Sequence, residues 1–408
     1  MNLKTFRTIS IWILLIILGG VVGYKIGQGK NVPLVSRAFT DIAELQTQQP
    51  AEYSDVDFKQ FWEVWNILER QYLDPEKIEP QKQVYGAIQG MTNSLGDPFT
   101  IYLPPTDQKR ASEDLAGAFS GVGIQLGYKD STLAVTAPLK GSPAANADVQ
   151  PGDLILRIKD TAKNLDEDTS GLNLFDAVEK IRGPKGTPVT LTLYREGRQE
   201  PFEVTLVRDE ILVASVELQI IEKDGKKVAL IELSRFGDRT EEEWNKAVDE
   251  IVLTQNLSGV ILDVRNNPGG YLDGSIDIAS EFIKDGVIVS QQGRTTTQKY
   301  TVTRKGRLTD LPVEVLVNKG SASASEIVAG ALRDRREAKL IGENTFGKGT
   351  VQDALQLSGG AGLHVTVGRW LLPSGDWIHE KGLPADVEMK NDPATENDEV
   401  LDKAIELL

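Results

Sequence analysis

Residues 311–352 carry the pattern that most restricts how this 408-residue chain can fold. Residues 311–317 (LPVEVLV) are apolar and β-prone, residues 321–324 (SASA) are small and turn-like, and over residues 326–333 the apolar spacing becomes helical. A strand that turns directly into a helix belongs in an α/β layer. It also places the turn beside the free N–H groups of a helix N-terminus, where an oxyanion can be held. Three serines compete for that position: Ser321, Ser323 and Ser325.

A serine nucleophile needs a base. The chain has no Cys and only two His, His364 and His379, which excludes a cysteine nucleophile and leaves few partners for a histidine triad. A lysine can replace histidine when burial lowers its pKa from about 10.4 towards 7–8, roughly 4 kcal/mol against the charged form. Lys348 suits that need, since its neighbours in Phe346-Gly347-Lys348-Gly349 let the backbone approach another segment closely. Taken alone, Gly-Lys-Gly is also what an ordinary turn with a solvated lysine looks like.

The run SASASEI followed by TFGKGTVQ closely resembles the carboxyl-terminal processing proteases, also called tail-specific proteases. The resemblance extends from about Asp55 to the C-terminus. It implies that Ser323, the middle serine of the run, is the nucleophile, that Lys348 is the general base, and that Gln352 orients the lysine amine. Neither histidine has acids or Cys at metal-ligand spacing, so no metal is expected, and no cofactor is expected either.

The net charge of −15, from 45 basic and 60 acidic residues, argues against a nucleic-acid partner, and no Lys/Arg stripe overrides it. After Lys4 and Arg7, residues 9–24 (ISIWILLIILGGVVGY) are almost wholly apolar, somewhat short of the roughly 20 residues of a membrane span until the flanks are added. No A-x-A site follows, so residues 1–30 read as an uncleaved anchor rather than a removed signal, and residues 31–55 as a polar stalk. Lys25, Lys30 and Arg37 balance the leading positive charges. Orientation is therefore taken from the resemblance, which implies a single-pass cell-membrane protein with its catalytic body on the extracytoplasmic side, in the periplasm or at the cell exterior.

Residues 56–107 read as a helical segment. Phe58, Phe61, Trp62, Trp65, Ile67 and Leu68 recur at helical spacing until Tyr72-Leu73-Asp74-Pro75 breaks the run, and a second helix is expected over 81–95. Such a stripe signifies core or dimer packing, which makes a homo-oligomer one expected state. The stretch Ser94-Leu95-Gly96-Asp97-Pro98 leading to Tyr102 is similar to the family's segment before its next domain, and its expected role is structural.

Over residues 108–208 the pattern changes to short β runs. GVGIQL opens the domain, GSPAA starts a short helix, QPGD makes a turn before the strand at 154–158, and a helix at 174–181 precedes the strand at 189–195 that closes the set. Residues 160–168 (DTAKNLDED) read as a solvated acidic loop. The order resembles a PDZ domain, a module that adds a peptide strand to a sheet edge and holds the terminal carboxylate in backbone N–H groups. By that resemblance the carboxylate loop is Gly121, Val122, Gly123 and Ile124; an ordinary β-bulge is the competing reading.

Residues 209–392 alternate strand-like and helical runs, as an α/β protease core would, and residues 393–408 hold a C-terminal amphipathic helix. The strand at 259–263 delivers the loop Asn266-Asn267-Pro268-Gly269-Gly270. The resemblance places one oxyanion donor in this loop, at Gly269 or Gly270, and the other at Ala324. Asp263, Arg265 and Glu326 match charged positions of the family and read as a salt-bridge network supporting the site. The expectation is therefore a mixed α/β and β multidomain chain with an N-terminal membrane helix: a membrane-anchored serine endopeptidase whose partners are protein or peptide substrates with free C-termini. The alternative is a non-catalytic PDZ scaffold that presents clients to another protease.

Overall fold

The computed structural model describes residues 56–408 apart from 393 and 396, so the expected membrane helix and stalk lie outside the described residues. No helix among the described residues is long and apolar enough to cross a membrane. The chain divides into two compact units, up to Gln83 and Val84–Leu408.

In the first unit, α1 (Lys59–Gln71) realises the aromatic spacing, with Phe61 and Trp62 ring centroids 5.1 Å apart, yet no residue of α1 is buried. α2 (Pro80–Asn93) begins at the end of this unit. Beyond it come β1 (Ile101–Leu103) and α3 (Pro105–Ala116), which stops at Gly117 in a left-handed conformation (φ 60°).

The inserted domain is entered through β2 (Ala118–Gly121). It contains β3 (Ile124–Lys129), β4 (Thr132–Pro138), α4 (Pro143–Asn146), β5 (Leu154–Asp160), β6 (Leu165–Asp168), α5 (Leu174–Ile181), β7 (Pro188–Tyr194) and β8 (Phe202–Val207), and the chain leaves through β9 (Asp209–Leu212). The sheet runs β3-β4-β5-β7-β8, with β6 on β5, and encloses its own core of Leu133, Val135, Ile155, Ile158, Leu191 and Leu193. Entry and exit strands β2 and β9 pair antiparallel as a two-stranded stem. Two expectations are corrected. β7 does not close the set, because β8 and β9 follow it, half-exposed strands with little apolar signal. The acidic stretch is not all solvated loop: Asp160 is 1% exposed and bound to Arg208 at 2.6 Å, and β6 pairs by its backbone while its carboxylates face water.

The core sheet consists of β10 (Val216–Lys223), β11 (Lys226–Leu233), β12 (Gly259–Asp263), β15 (Val313–Val317), β16 (Leu340–Gly342) and β19 (Val387–Glu388), in that spatial order and parallel except for β10. All five residues of β12 are buried, as a central parallel strand covered on both faces requires. One face packs on α6 (Thr240–Leu253), α7 (Leu272–Phe282) and α8 (Ala324–Arg336) through Ile231, Leu262 and Val315. The other packs on α9 (Glu399–Leu407) through Leu230, Ile261 and Leu316. A second sheet joins β1 to β18 (Gly362–Leu371), β13 (Val287–Gly293) and β14 (Thr297–Thr301), with β17 (Thr350–Gln356) also on β18. The β1–β18 pairing brings the segment before β1 alongside the chain that follows the lysine loop.

Candidate active site

The parallel strands β12 and β15 end side by side, and their following loops are sewn together by side-chain amides and hydroxyls. Asn318 Oδ1 accepts the N–H groups of Asn266 (2.8 Å) and Gly320 (2.9 Å). Ser321 donates its hydroxyl to the Val264 carbonyl at 2.7 Å, and Ser325 donates to the Asn267 carbonyl at 2.9 Å. Both serines are 0% exposed. Ser323 differs on every count: it is half-buried, it caps α8, and it sits at φ 55°, ψ −114°, a strained conformation for a residue with a side chain. Ser321 and Ser325 spend their hydroxyl protons on carbonyls, whereas Ser323 forms a capping box with Glu326 at the start of α8.

Glu326, one turn into α8 and 0% exposed, joins this turn to the lysine loop. Its Oε2 accepts the N–H of Ser323 (2.8 Å) and of Lys348 (2.9 Å). Its Oε1 accepts the Thr345 hydroxyl (2.6 Å) and the Gly347 N–H (2.7 Å). Burial raises its pKa, and these four donors oppose the shift. Burial likewise pushes the Lys348 ammonium below its ordinary value, against the nearby charges of Asp97 and Glu326. The Lys348 backbone is held from the other side, its carbonyl accepting the Trp370 indole N–H at 3.0 Å. Gly349 donates to His379 Nδ1 at 3.2 Å, so this histidine braces the loop and stacks on Trp377.

The glycine loop meets the serine turn directly. A Cβ on Gly269 would lie 2.9 Å from Ser323 Cβ and 3.1 Å from the Ala324 nitrogen, a closeness only glycine permits. The Gly269 N–H is spent on Asn267 Oδ1 at 2.9 Å. The N–H groups of Gly270 and Ala324 have no acceptor among the described residues. Asn267 is 0% exposed and acts as the rivet, binding Leu233, Ala322, Ser325 and Gly269. The sequence reading missed it, although its place just before Pro268-Gly269-Gly270 was a usable signal.

A second missed contribution comes from the segment before β1. Lys348 Nζ lies 5.0 Å from the Phe99 ring centroid. Asp97 accepts the Phe99 N–H (3.0 Å) and the Thr100 hydroxyl (2.7 Å). Burial works against it, but hydrogen bonds from Thr100, Thr366 and Phe99 hold its carboxyl below the usual range. Gln352 donates to Thr350 (2.9 Å) and Thr366 (3.1 Å), so its amide N–H₂ belongs to this threonine network; no hydrogen bond joins it to Lys348. His364 is lowered by burial and by the charge of Lys348.

Other expected residues lie elsewhere. Arg265 binds Asp263 (2.6 Å) and Asp398 (2.7 Å), tying the end of β12 to the start of α9 rather than to Ser323. In the inserted domain, Val122 and Gly123 turn their carbonyls inward, to Ala144 and to Leu139 and Ser142. Their N–H groups have no acceptor among the described residues. A Cβ on Gly123 (φ 71°) would meet Ser142 Cβ at 2.2 Å.

A family model described as Peptidase family S41 matches residues 227–389, one described as PDZ domain matches 111–194, and one described as Activating protease CtpB N-terminal domain matches 17–106. Carboxy-terminal processing protease CtpB of Bacillus subtilis (strain 168) is 34% identical over 345 residues, spanning 84% of this chain and 70% of that protein. The carboxyl-terminal-processing protease of Synechocystis sp. is 39% identical over 325 residues, spanning 79% and 74%. A crystal structure from Bacteroides fragilis NCTC 9343 assigned to the S41 proteases shares the fold, with a TM-score of 0.55 at 18% identity over 88% of this chain and 98% of that one. The chain belongs to peptidase family S41, and it is a serine protease of the carboxy-terminal processing kind that carries a PDZ domain.

Proposed function

We propose that Ser323 is the nucleophile and Lys348 the general base of an endopeptidase that cuts proteins near their C-terminus. The observation that carries this reading is Glu326: one buried carboxylate fixes the backbone of both residues, while the two competing serines are buried with their hydroxyls bonded. Neutral Lys348 takes the proton of the Ser323 hydroxyl as its oxygen attacks the scissile carbonyl. The N–H groups of Gly270 and Ala324 receive the oxyanion. Lys348 then protonates the leaving amine, and water hydrolyses the ester. Gln352 Oε1, which has no donor among the described residues, is the atom that orients the lysine amine. The N–H groups of the loop from Gly121 to Ile124 take the carboxylate of the substrate tail. Residues 9–24 hold the enzyme in the membrane with this body outside the cytoplasm, which protease protection of intact cells or spheroplasts would test.

The test of the site is to incubate the detergent-solubilised chain with an unfolded, C-terminally tagged protein and follow the products by mass spectrometry. Ser323→Ala should still bind the tail and release no fragments. Ser321→Ala and Ser325→Ala should cleave, with stability reduced by about 1 kcal/mol for each buried hydrogen bond lost. Cleavage by Ser323→Ala together with an inactive Ser325→Ala would move the nucleophile.

A further inference from the structure

The strand β18 lies between β1 and β17, with His364 opposite Ile101 on one side and Thr366 opposite Gln352 on the other. The second pairing depends on a bulge: the register shifts between Val351 and Gln352, so Gln352 faces Thr366 where a regular ladder would give it Val367. Gln352 Nε2 then donates to Thr366 Oγ1 at 3.1 Å and to Thr350 Oγ1 at 2.9 Å, which uses both amide protons and turns Oε1 away from the threonines. The reverse amide orientation would suit two threonines equally well, since a hydroxyl either donates or accepts. What decides between the two is where the Thr366 proton goes, and Asp97 takes it. Against the cost of burial, hydrogen bonds from Thr100, Thr366 and the Phe99 N–H hold this carboxyl below the usual range, so it is ionised and only accepts. The turn before β1 explains why Asp97 binds its neighbours Phe99 (3.0 Å) and Thr100 (2.7 Å), but not why it also reaches a hydroxyl on another strand. The Thr100 hydroxyl in turn accepts the Thr366 N–H at 3.0 Å, which fixes the backbone of that strand against the turn.

We propose that Thr366 is a positioning residue of the site: with its proton given to Asp97, its hydroxyl oxygen takes the Gln352 N–H₂, and Gln352 Oε1 is thereby the atom presented to the Lys348 amine. The inference rests on the reading of Gln352 as the group that orients the lysine, and it adds what fixes the amide. An amide presented the other way round would turn N–H groups towards the lysine nitrogen. There they would repel the ammonium and occupy the lone pair with which the neutral amine takes the serine proton. Thr366 touches no reacting atom, so its effect on the reaction passes through Gln352. A valine in its place has nearly the same shape but offers the amide no acceptor, and the amide is then free to turn its oxygen to the Thr350 hydroxyl.

The experiment uses the full chain and a peptide substrate with a free C-terminus. Thr366→Val should lower kcat roughly tenfold with KM unchanged, as loss of one orienting hydrogen bond does, and Thr366→Ser, which keeps the hydroxyl, should restore most of it. Added to Gln352→Ala, the valine should cost nothing further, because the group it acts through is gone. A further loss of the same size in that background would show that Thr366 serves something other than Gln352 and would overturn the inference. Full activity of Thr366→Val beside an impaired Gln352→Ala would overturn it too, while leaving the role of Gln352 intact. The amide itself gives a reading that does not depend on catalysis. In Ser323→Ala with isotope-labelled glutamine side chains, NMR identifies the Gln352 N–H₂ protons by their loss in Gln352→Ala, and their exchange with water should become faster on adding Thr366→Val. Unchanged exchange overturns the inference. Faster exchange, in an enzyme that Gln352→Ala leaves fully active, upholds Thr366 as the group that holds the amide and removes instead the reading that the amide serves the lysine.

Discussion

On the proposed mechanism Lys348 must be neutral to accept the serine proton, and its surroundings pull in two directions. Burial favours the neutral amine, whereas Asp97 and Glu326 favour the ammonium. Because only the neutral form is a base, the rate should climb as pH rises through the lysine's depressed pKa. Removing the negative charge of Asp97 takes away support for the ammonium, so the pKa falls further. Asp97→Asn should therefore move the rising limb of the kcat/KM profile to lower pH, while Asn keeps an acceptor for the Phe99 N–H. A limb that stays in place or moves to higher pH would show that Asp97 does not act on the lysine. Lys348→Arg should lose on the order of 10⁴ in kcat at every pH, since a guanidinium stays protonated; measurable turnover in that variant would reopen the choice of base.

Between elements, the N-terminus of α8 and the lysine loop share Glu326, and the glycine loop abuts the turn at the start of α8. Glu326→Gln keeps the volume but turns an N–H₂ group towards two of the four donors. Leaving two buried donors unmatched costs about 1–3 kcal/mol each, so urea unfolding should show a loss of about 2–6 kcal/mol; a change under 1 kcal/mol would mean that the clamp is dispensable. Gly270→Ala would place a Cβ 2.0 Å from the Phe236 carbonyl oxygen at φ 139°, forcing the loop to move. If its N–H is an oxyanion donor, kcat should fall by about 10²–10³, and full activity would rule that donor out. The strand, turn and helix around Ser323 were legible in the sequence because their apolar periods change abruptly at small residues. The choice of Ser323 among three adjacent serines came from the family resemblance and not from the pattern, since what distinguishes the three physically is the carbonyls of residues 264 and 267, which fold beside the turn from a different strand. Asp97 and Phe99 were unreadable as site residues for the same reason, lying some 250 positions from Lys348 (348 − 97 = 251) until β1 pairs with β18. The strand β17 was overlooked because it is an exposed edge with a polar sequence, TVQDALQ, and no alternation.

At the scale of the molecule, the PDZ domain is an insertion hung on the β2–β9 stem, with few ties to what precedes it. Arg182 reaches Glu113 of α3 at 3.2 Å and lies 4.2 Å over the Phe119 ring, and Arg110 pairs with Glu179 of α5. Partly exposed ion pairs of this sort contribute about 0–1 kcal/mol each, so these ties beyond the stem add little to holding the domain and are salt-dependent. A substrate carboxylate in the loop from Gly121 to Ile124 would contribute about 1.5–3 kcal/mol for each charge-assisted hydrogen bond, enough to shift a balance between two domain positions a few kcal/mol apart. A substrate whose C-terminus is amidated should therefore be cleaved more slowly than its free acid. A short free-acid peptide added in trans should change the rate on a second substrate, whereas its amide should not. Glu113→Gln, which loosens the tie to α3, should reduce the size of that trans effect without touching the carboxylate loop. Equal cleavage of amidated and free-acid substrates, with no response in trans, would show that the domain neither reads carboxylates nor governs access to Ser323.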